Sequence, residues 1–213
     1  MRVTAAGGVA QTRNHWWWRP GWGIGTRYFT WHLTFEHCHE LHLLASRMRP
    51  ALARHPVQDV IPDPWLHLTM TGIGFEDDVT DDQLDRIARE VFEELPELPS
   101  GVLTLDSLLV ADEGVLLPAR KDTWLMELSA LQRRVVGEVV GHAEWDAAFW
   151  PHVSLSYASG PSPVAPLVAD LEAVAPPQET LAVARPRVTL MRLNRDSRQY
   201  QWDVVEQRVW GAE

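Results

Sequence analysis

Two segments of this chain alternate between polar and apolar residues, which is the pattern of a half-buried β-strand. They span about residues 65–75 and 152–157. Each places a histidine and two hydroxyl residues at alternate positions: His67, Thr69 and Thr71 in the first, and His152, Ser154 and Ser156 in the second. Because successive side chains of a strand point to opposite faces, each predicted strand carries an imidazole and hydroxyls on one face and apolar groups on the other. By this alternation Tyr157 points away from His152.

The rest of the chain predicts interspersed strands and helices. Apolar residues at helical spacing predict helices at about residues 41–52, 81–95, 129–141 and 167–174. Further strands are predicted at about residues 28–35, 102–110, 114–117, 124–128, 181–193 and 199–209. No glycine-rich turn links a strand to a helix, so we predict an α+β fold with antiparallel sheets rather than a doubly wound nucleotide-binding fold.

The first 25 residues are rich in tryptophan, arginine and glycine and show no periodicity. We interpret residues 1–25 as an N-terminal arm and residues 26–213 as one bilobal domain. The arm could pack onto the domain through four aromatic residues: Trp16, Trp17, Trp18 and Trp22.

Composition narrows the compartment and the class of ligand. The net charge of the 213 residues is −10, which repels polyanions and argues against a grip on extended double-stranded nucleic acid. A small anion in a local pocket stays compatible with that charge. The single cysteine, Cys38, precludes an internal disulfide, and no apolar run approaches the roughly 18 residues of a membrane span. We therefore expect a cytoplasmic protein with no membrane partner.

The two strand segments are copies of one phrase, W-x-H-x-[ST]-x-[ST], with their histidines 85 positions apart. Cleavage of a phosphodiester needs a base for the attacking oxygen and an acid for the leaving oxygen, and histidine can be either near neutral pH. Two histidines on opposite sides of one phosphorus can serve such a displacement without a metal or cofactor. The hydroxyls of Thr69 and Ser154 can donate hydrogen bonds to the non-bridging oxygens. Either His67 or His152 can take either role.

The segments carrying these phrases resemble a known family. Residues 67–74 resemble the first H-x-T signature of the 2′-5′ RNA ligase-like family in the two-histidine (2H) phosphoesterase superfamily, and residues 151–155 resemble the second. The resemblance covers roughly residues 28–209, and residues 31–35 resemble an actinobacterial subgroup. It implies two lobes related by a pseudo-twofold axis, each an antiparallel sheet backed by helices, with the histidines facing each other across a central cleft.

Other residues near the repeated phrase are candidates for substrate binding. His32 lies on the predicted first strand, and the two tryptophans of the phrase could flank a base. The candidates are His32, Trp65, Trp150, Thr71 and Ser156. Core packing or strand surface is the competing interpretation for each of them. The cluster of His37, Cys38, His39 and His42 lacks the further acidic or thiolate ligand of a typical zinc site, so no metal site is predicted.

Our hypothesis from the sequence is a metal-independent phosphodiesterase that acts on a 2′,3′-cyclic phosphate or a 2′-5′ linkage of a nucleotide or RNA end, and that could also run in reverse as a ligase. A second hypothesis is a module that binds a nucleotide or RNA end without turnover. A third is a scaffold whose Trp-rich arm binds a partner. Product formation separates the first hypothesis from the other two.

Replacement of the two histidines tests their catalytic assignment. Acid–base catalysis typically supplies about 10²–10⁴-fold in rate, so His67→Ala and His152→Ala should each lower turnover by about that factor. Steady-state kinetics of both variants on a cyclic nucleotide measures the loss. Wild-type turnover in both single variants would refute the catalytic assignment.

Overall fold

The computed structural model describes residues 1–141, 149–184 and 186–210 of the chain. The described strands are β1 Val3–Ala5, β2 Tyr28–Thr34, β3 Gln58–Val60, β4 His67–Phe75, β5 Leu103–Leu105, β6 Leu108–Ala111, β7 Gly114–Pro118, β8 His152–Ala158, β9 Leu181–Val183, β10 Arg187–Asn194 and β11 Gln201–Val209. The helices are α1 His39–Leu52, α2 Asp81–Glu94, α3 Thr123–Val140 and α4 Val164–Glu172. None of the helices in these ranges combines the length and apolar character that a bilayer crossing requires.

The large sheet consists of two halves that meet between β4 and β8. Its strand order is β1-β6-β7-β8-β4-β2-β10-β11, and β3 pairs with the far part of β8. Adjacent strands are antiparallel except β1 and β6. Helices α2 and α3 pack together on the half with β4, and α1 and α4 pack together on the half with β8. The predicted α+β class with antiparallel sheets backed by helices is confirmed, and the two halves of the large sheet join edge to edge at β4 and β8.

Strand β4 contains a β-bulge just after its histidine and first hydroxyl. Two neighbouring residues of β2 pair with Thr69 and Thr71, so Met70 is the additional residue of the bulge. Beyond this point the alternation of faces shifts by one residue. Trp31, which is opposite Thr71, is fully buried and its ring contacts Phe92 of α2. Thr71 therefore lies on the face that packs against the helices.

Strand β8 carries a bulge at the matching position. Neighbouring residues of β7 pair with Ser154 and Ser156, so Leu155 is the additional residue. Ser156 is fully buried, and its hydroxyl donates to the side-chain oxygen of Gln58 at 2.7 Å. The next residue, Tyr157, consequently turns to the face that carries the histidines. The same shift thus occurs in both halves of the sheet.

These bulges correct the alternation predicted from the sequence. We expected Thr71 and Ser156 to share a face with the histidines, and both lie on the opposite face. We expected Tyr157 to point away, and its ring lies on the histidine side, where it contacts Tyr200. The physical reason is that one additional residue in a strand inverts the side chains that follow it, up to the next irregularity in the pairing, which in β4 lies between Gly72 and Gly74.

Part of the predicted N-terminal arm belongs to the sheet. Val3–Ala5 is the edge strand β1, and Met1 is buried in the core. Of the tryptophans in this segment, two pack onto the domain and two are about half exposed: Trp16 and Trp22 in the first group, and Trp17 and Trp18 in the second. The boundary placed at residue 25 therefore does not separate an arm from the sheet.

Three predicted elements differ from the structure. Residues 124–128, predicted as a strand, form the first part of α3, because Trp124, Leu128 and Leu131 continue one helical stripe. The strand predicted at 102–110 is divided into β5 and β6. Strand β4 begins at His67 rather than Trp65, since Asp63–Trp65 is a 3₁₀ turn. The predicted strand at 181–193 includes residue 185, which lies outside the described residues.

The close approach of β7 to β8 can be tested at Gly114, which pairs with Tyr157. A Cβ at Gly114 would overlap the carbonyl oxygen of Ser156. We expect Gly114→Ala to lower the free energy of unfolding by about 1–3 kcal/mol, because backbone must move. The matched control is Gly137→Ala in α3, where a Cβ meets nothing within 4 Å and alanine favours the helix by about 1 kcal/mol. Chemical denaturation should show opposite signs; equal effects would contradict the close approach.

Candidate active site

The contact between β4 and β8 brings the two histidine strands together. Leu68 pairs with Val153, and both side chains are fully buried. The antiparallel register therefore sets His67 beside Ser154 and His152 beside Thr69, with all four side chains on the other face. Diagonal neighbours across two such strands are roughly 7–8 Å apart, so the two imidazoles can reach one phosphate between them. The structure thus brings together the four predicted catalytic residues, His67, Thr69, His152 and Ser154.

Both imidazoles are oriented by the same backbone contact. Nδ1 of His67 lies 2.8 Å from the carbonyl oxygen of Trp65, and Nδ1 of His152 lies 2.9 Å from that of Trp150. A carbonyl oxygen can only accept, so Nδ1 carries the proton and donates it in each case. The lone pair of each neutral ring is therefore on Nε2. Among the described residues, no group forms a hydrogen bond with either Nε2.

The two histidines differ in their exposure to water. His67 is buried, and burial lowers the pKa of His67 to about 4, with His152 contributing and the bond to the Trp65 carbonyl opposing. His152 is half-buried, and burial lowers the pKa of His152 below its ordinary value of 6.5. The ring of Trp150 lies 4.8 Å from that of His152 and is 51% exposed. The site is therefore closed around His67 and open at His152.

Aromatic rings enclose the His67 imidazole on several sides. His32 stacks on His67 with 4.7 Å between ring centroids and 9° between the planes. The rings of Trp202 and Tyr200 meet His67 edge-on at 5.5 and 5.6 Å, and Trp65 contacts Trp202 at 4.9 Å. His32 was a candidate for substrate contact, but it is only 2% exposed and lies behind His67. Burial and the neighbouring His67 lower the pKa of His32 well below its usual range.

The four hydroxyl residues of the repeated phrase lie on two different faces of the sheet. Thr69 is exposed beside His152, and Ser154 is buried beside His67. Thr71 and Ser156, which we predicted to contact substrate, lie behind the bulges on the opposite face. Trp65 and Trp150 both lie beside the histidines, although the first belongs to the 3₁₀ turn before β4.

Sequence reasoning missed several residues around His67. A small cavity of about 10 Å³, the room that one water molecule needs, is lined by His67, Trp65, Tyr157, Tyr200 and Asp59 among others. Burial raises the pKa of Tyr157. Tyr157 could not be found by alternation because of the bulge. Tyr200 lies just before β11, and its place in the hairpin between β10 and β11 was the only feature of the sequence that pointed to a role in the site.

Within the described ranges, no three His, Cys, Asp or Glu side chains come together in a way that could hold a metal ion. This includes the sequence cluster around Cys38, whose thiol is buried. Burial raises the pKa of Cys38 to about 11, assisted by the neighbouring Glu40 and Glu36.

The chain shares its fold with several solved structures. One is described as a phosphoesterase, with 17% identity, a TM-score of 0.61 and coverage of 88% of this chain and 99% of its own. E. coli LigT complexed with 3′-AMP has 16% identity, a TM-score of 0.59 and coverage of 88% and 99%. TT0787 of Thermus thermophilus has 15% identity, a TM-score of 0.64 and coverage of 85% and 97%. No protein-family model and no curated protein matches the chain. The likeness establishes the fold and confirms the one that the sequence resemblance implied.

The burial of His67 predicts a pH dependence of stability. In the unfolded chain the imidazole of His67 takes up a proton near pH 6.5, whereas in the folded protein it does so only near pH 4. Stability contributed by neutral His67 is therefore complete above pH 6.5 and is lost as pH falls through this window, by about 3 kcal/mol in total. Urea denaturation at pH 7 and pH 4.5 should show a smaller loss in His67→Gln than in the wild type. The exposed His39→Gln should match the wild type; equal losses in all three proteins would contradict the burial of His67.

Proposed function

We propose that this chain is a metal-independent 2H phosphoesterase that cleaves a 2′,3′-cyclic phosphate or a 2′-5′ phosphodiester of a nucleotide or RNA end. The observation that carries the proposal is the matched pair of imidazoles on one face of β4 and β8. Each has Nδ1 bound to the carbonyl two residues earlier and Nε2 directed away from the backbone. Two such groups around one phosphorus supply both proton transfers of a displacement.

The shared fold supports this proposal. Its solved representatives include a protein described as a phosphoesterase, and E. coli LigT has been crystallised with 3′-AMP, ATP and phosphate. These ligands share a phosphate group and, in two cases, a nucleoside. A phosphorylated nucleotide is therefore the ligand class that we assign to the site of the present chain.

The unequal burial of the two imidazoles supports a division of roles. His67 is neutral above about pH 4, so its Nε2 can accept a proton from the attacking oxygen across the neutral range. His152 is half-buried and open to solvent, so it holds a proton more readily and can donate it to the leaving oxygen. The exposed hydroxyl of Thr69 and the buried hydroxyl of Ser154 can donate to the non-bridging oxygens, where negative charge is held in the transition state.

Trp150 supports the placement of the nucleoside. Its ring is half exposed and lies next to His152, at the open side of the site. Stacking of a base on an exposed aromatic ring contributes about 1–3 kcal/mol and tolerates any base. The closed side at His67 has room for a water molecule, which suits the attacking oxygen of a hydrolysis. We therefore place the leaving nucleoside oxygen beside His152 and the attacking water beside His67.

The test is incubation of the full chain with cyclic nucleotides, 2′-5′ dinucleotides and RNA ends, with products identified by mass spectrometry. We expect opening of a cyclic phosphate or a 2′-5′ bond, unchanged by a strong chelator. The pH profile of kcat/KM should be bell-shaped. As the pH is raised, kcat/KM should increase near pH 4, where His67 loses its proton, and decrease again from a pH lower than 6.5, where His152 loses its proton. Bound phosphate stabilises both imidazolium ions, so the kcat profile should lie at higher pH.

Two results would count against this function. Tight binding of a cyclic nucleotide with no product over hours would favour a binding module. Loss of activity with the chelator and recovery with a divalent cation would favour a metal mechanism. Replacement of the exposed Leu43 by alanine, on α1 and away from the β4–β8 contact, provides a control variant with unchanged turnover.

A further inference from the structure

His15 of the N-terminal segment connects three parts of the molecule close to His67. Its Nδ1 lies 3.0 Å from a carboxylate oxygen of Glu113 in the turn between β6 and β7, and its Nε2 lies 3.0 Å from the hydroxyl of Tyr200. Its ring stacks on Tyr157 of β8 with 4.1 Å between centroids and 15° between the planes. Only 7% of His15 is exposed. The acid–base chemistry proposed above uses none of these contacts.

The donors and acceptors in this chain of groups can be assigned. The hydrogen bond from His15 lowers the pKa of Glu113, whose carboxylate therefore accepts from Nδ1. Burial lowers the pKa of His15, so its ring is neutral and Nε2 accepts the phenolic proton of Tyr200. Nη1 of Arg19 donates to the same hydroxyl oxygen at 3.2 Å. The hydroxyl of Tyr200 is thus bound on both its donor and its acceptor side.

The backbone around His15 is fixed as well. Its N–H donates to the carbonyl oxygen of Ala158 at 2.8 Å, and its carbonyl accepts from Nη2 of Arg195 at 3.1 Å. The guanidinium of Arg195 is itself buried, 5.5 Å from the ring of Trp16 and 5.4 Å from that of Tyr200. Both sides of the contact between His15 and Tyr200 are therefore anchored in the domain.

Tyr200 connects these hydrogen bonds to His67 through a ring contact. Its ring meets the imidazole edge-on at 5.6 Å and 76°, and it lines the small cavity beside that imidazole. Without His15 the O–H of the half-buried Tyr200 would have no acceptor among these contacts, and an unsatisfied donor costs free energy unless the ring turns towards water. Such a turn would open the His67 side of the site. The hydrogen bonds of His15 and Arg19 to Tyr200 are therefore one aromatic contact away from His67.

We propose that His15 is a positioning residue for the reaction: it fixes Tyr200, whose ring holds the His67 imidazole in place and keeps bulk water away from it. The inference rests on the proposed function for its effect on turnover. Its effect on His67 itself is independent of any substrate. The N-terminal segment thereby contributes to the active site, although it lies outside the repeated phrases.

Several ionisable groups surround His67, and among them His152 and His15 lower its pKa. They are His32 on β2, Asp59 on β3, His152 and Tyr157 on β8, Arg198 and Tyr200 in the β10–β11 hairpin, and His15. Replacement of His15 by leucine removes an acceptor for Tyr200 while it keeps an apolar side chain in the stack on Tyr157. Loss of the direct electrostatic effect of His15 and hydration of the His67 environment should then both raise the pKa of His67 from about 4 towards 6.5.

The experiment follows the imidazole of His67 by ¹H–¹⁵N NMR during a pH titration of the free protein. In His15→Leu we expect the His67 titration to move up by about one unit or more. When hydrolysis of a cyclic nucleotide is measured, kcat of His15→Leu should fall by about 10- to 100-fold with KM nearly unchanged. The acid limb of its pH profile of kcat/KM should move with the NMR titration of His67. In His15→Gln the amide oxygen can accept from Tyr200, so the His67 titration and kcat should both return most of the way to the wild-type values.

The exposed His39→Leu is the matched control and should titrate and react as the wild type. An unchanged His67 titration in His15→Leu would overturn the inference, whether or not the protein has the proposed activity. If His15→Leu does not fold, His15→Phe gives the same decision, because its ring keeps the stack on Tyr157 but removes the acceptor for Tyr200, and it should raise the His67 titration in the same direction. A shifted His67 titration in His15→Leu, combined with no turnover by the wild-type protein, would support the positioning contact and refute the proposed function.

Discussion

The pairing of Leu68 with Val153 is the contact on which the rest of the site depends. It joins β4 to β8, and through them it joins the two halves of the large sheet. The two apolar side chains point into the core, so the residues before and after them point to the other face. A shift of this register by one residue would turn the histidine and the next hydroxyl of one strand into the core. Burial of Leu68 and Val153 therefore selects the one pairing in which the imidazoles face a common space.

The bulges at Met70 and Leu155 limit the polar part of each strand to a few residues. Before the bulge, histidine and hydroxyl side chains face the site; after it, Thr71 and Ser156 return to the core. On β8 the same change delivers Tyr157 to the histidine side, where its ring supports His15. Bulges are local changes of backbone, and they leave the composition of a strand unaltered. The alternation of the sequence therefore predicted the first half of each strand correctly and the second half incorrectly.

The sequence predicted what is repeated and what is local. The phrase shared by the two strands indicated the paired imidazoles, and helical stripes indicated α1 and α2. The environment of His67 could not be predicted, because it is assembled from distant segments. His15 and Tyr200 are 185 positions apart, and a single histidine in an aperiodic segment carries no pattern. In the same way, β1 consists of three residues whose pairing with β6 depends on the rest of the sheet.

Two copies of one phrase can therefore perform different chemistry without any difference in the phrase itself. Both histidines donate Nδ1 to the carbonyl two residues earlier, so the local sequence makes them equivalent. The difference comes from what the rest of the chain places around each ring. His32, Trp202 and Tyr200 cover His67, while His152 has the half-exposed Trp150 beside it. Unequal burial gives His67 and His152 unequal proton affinities, as the base and the acid of the proposed displacement at phosphorus require.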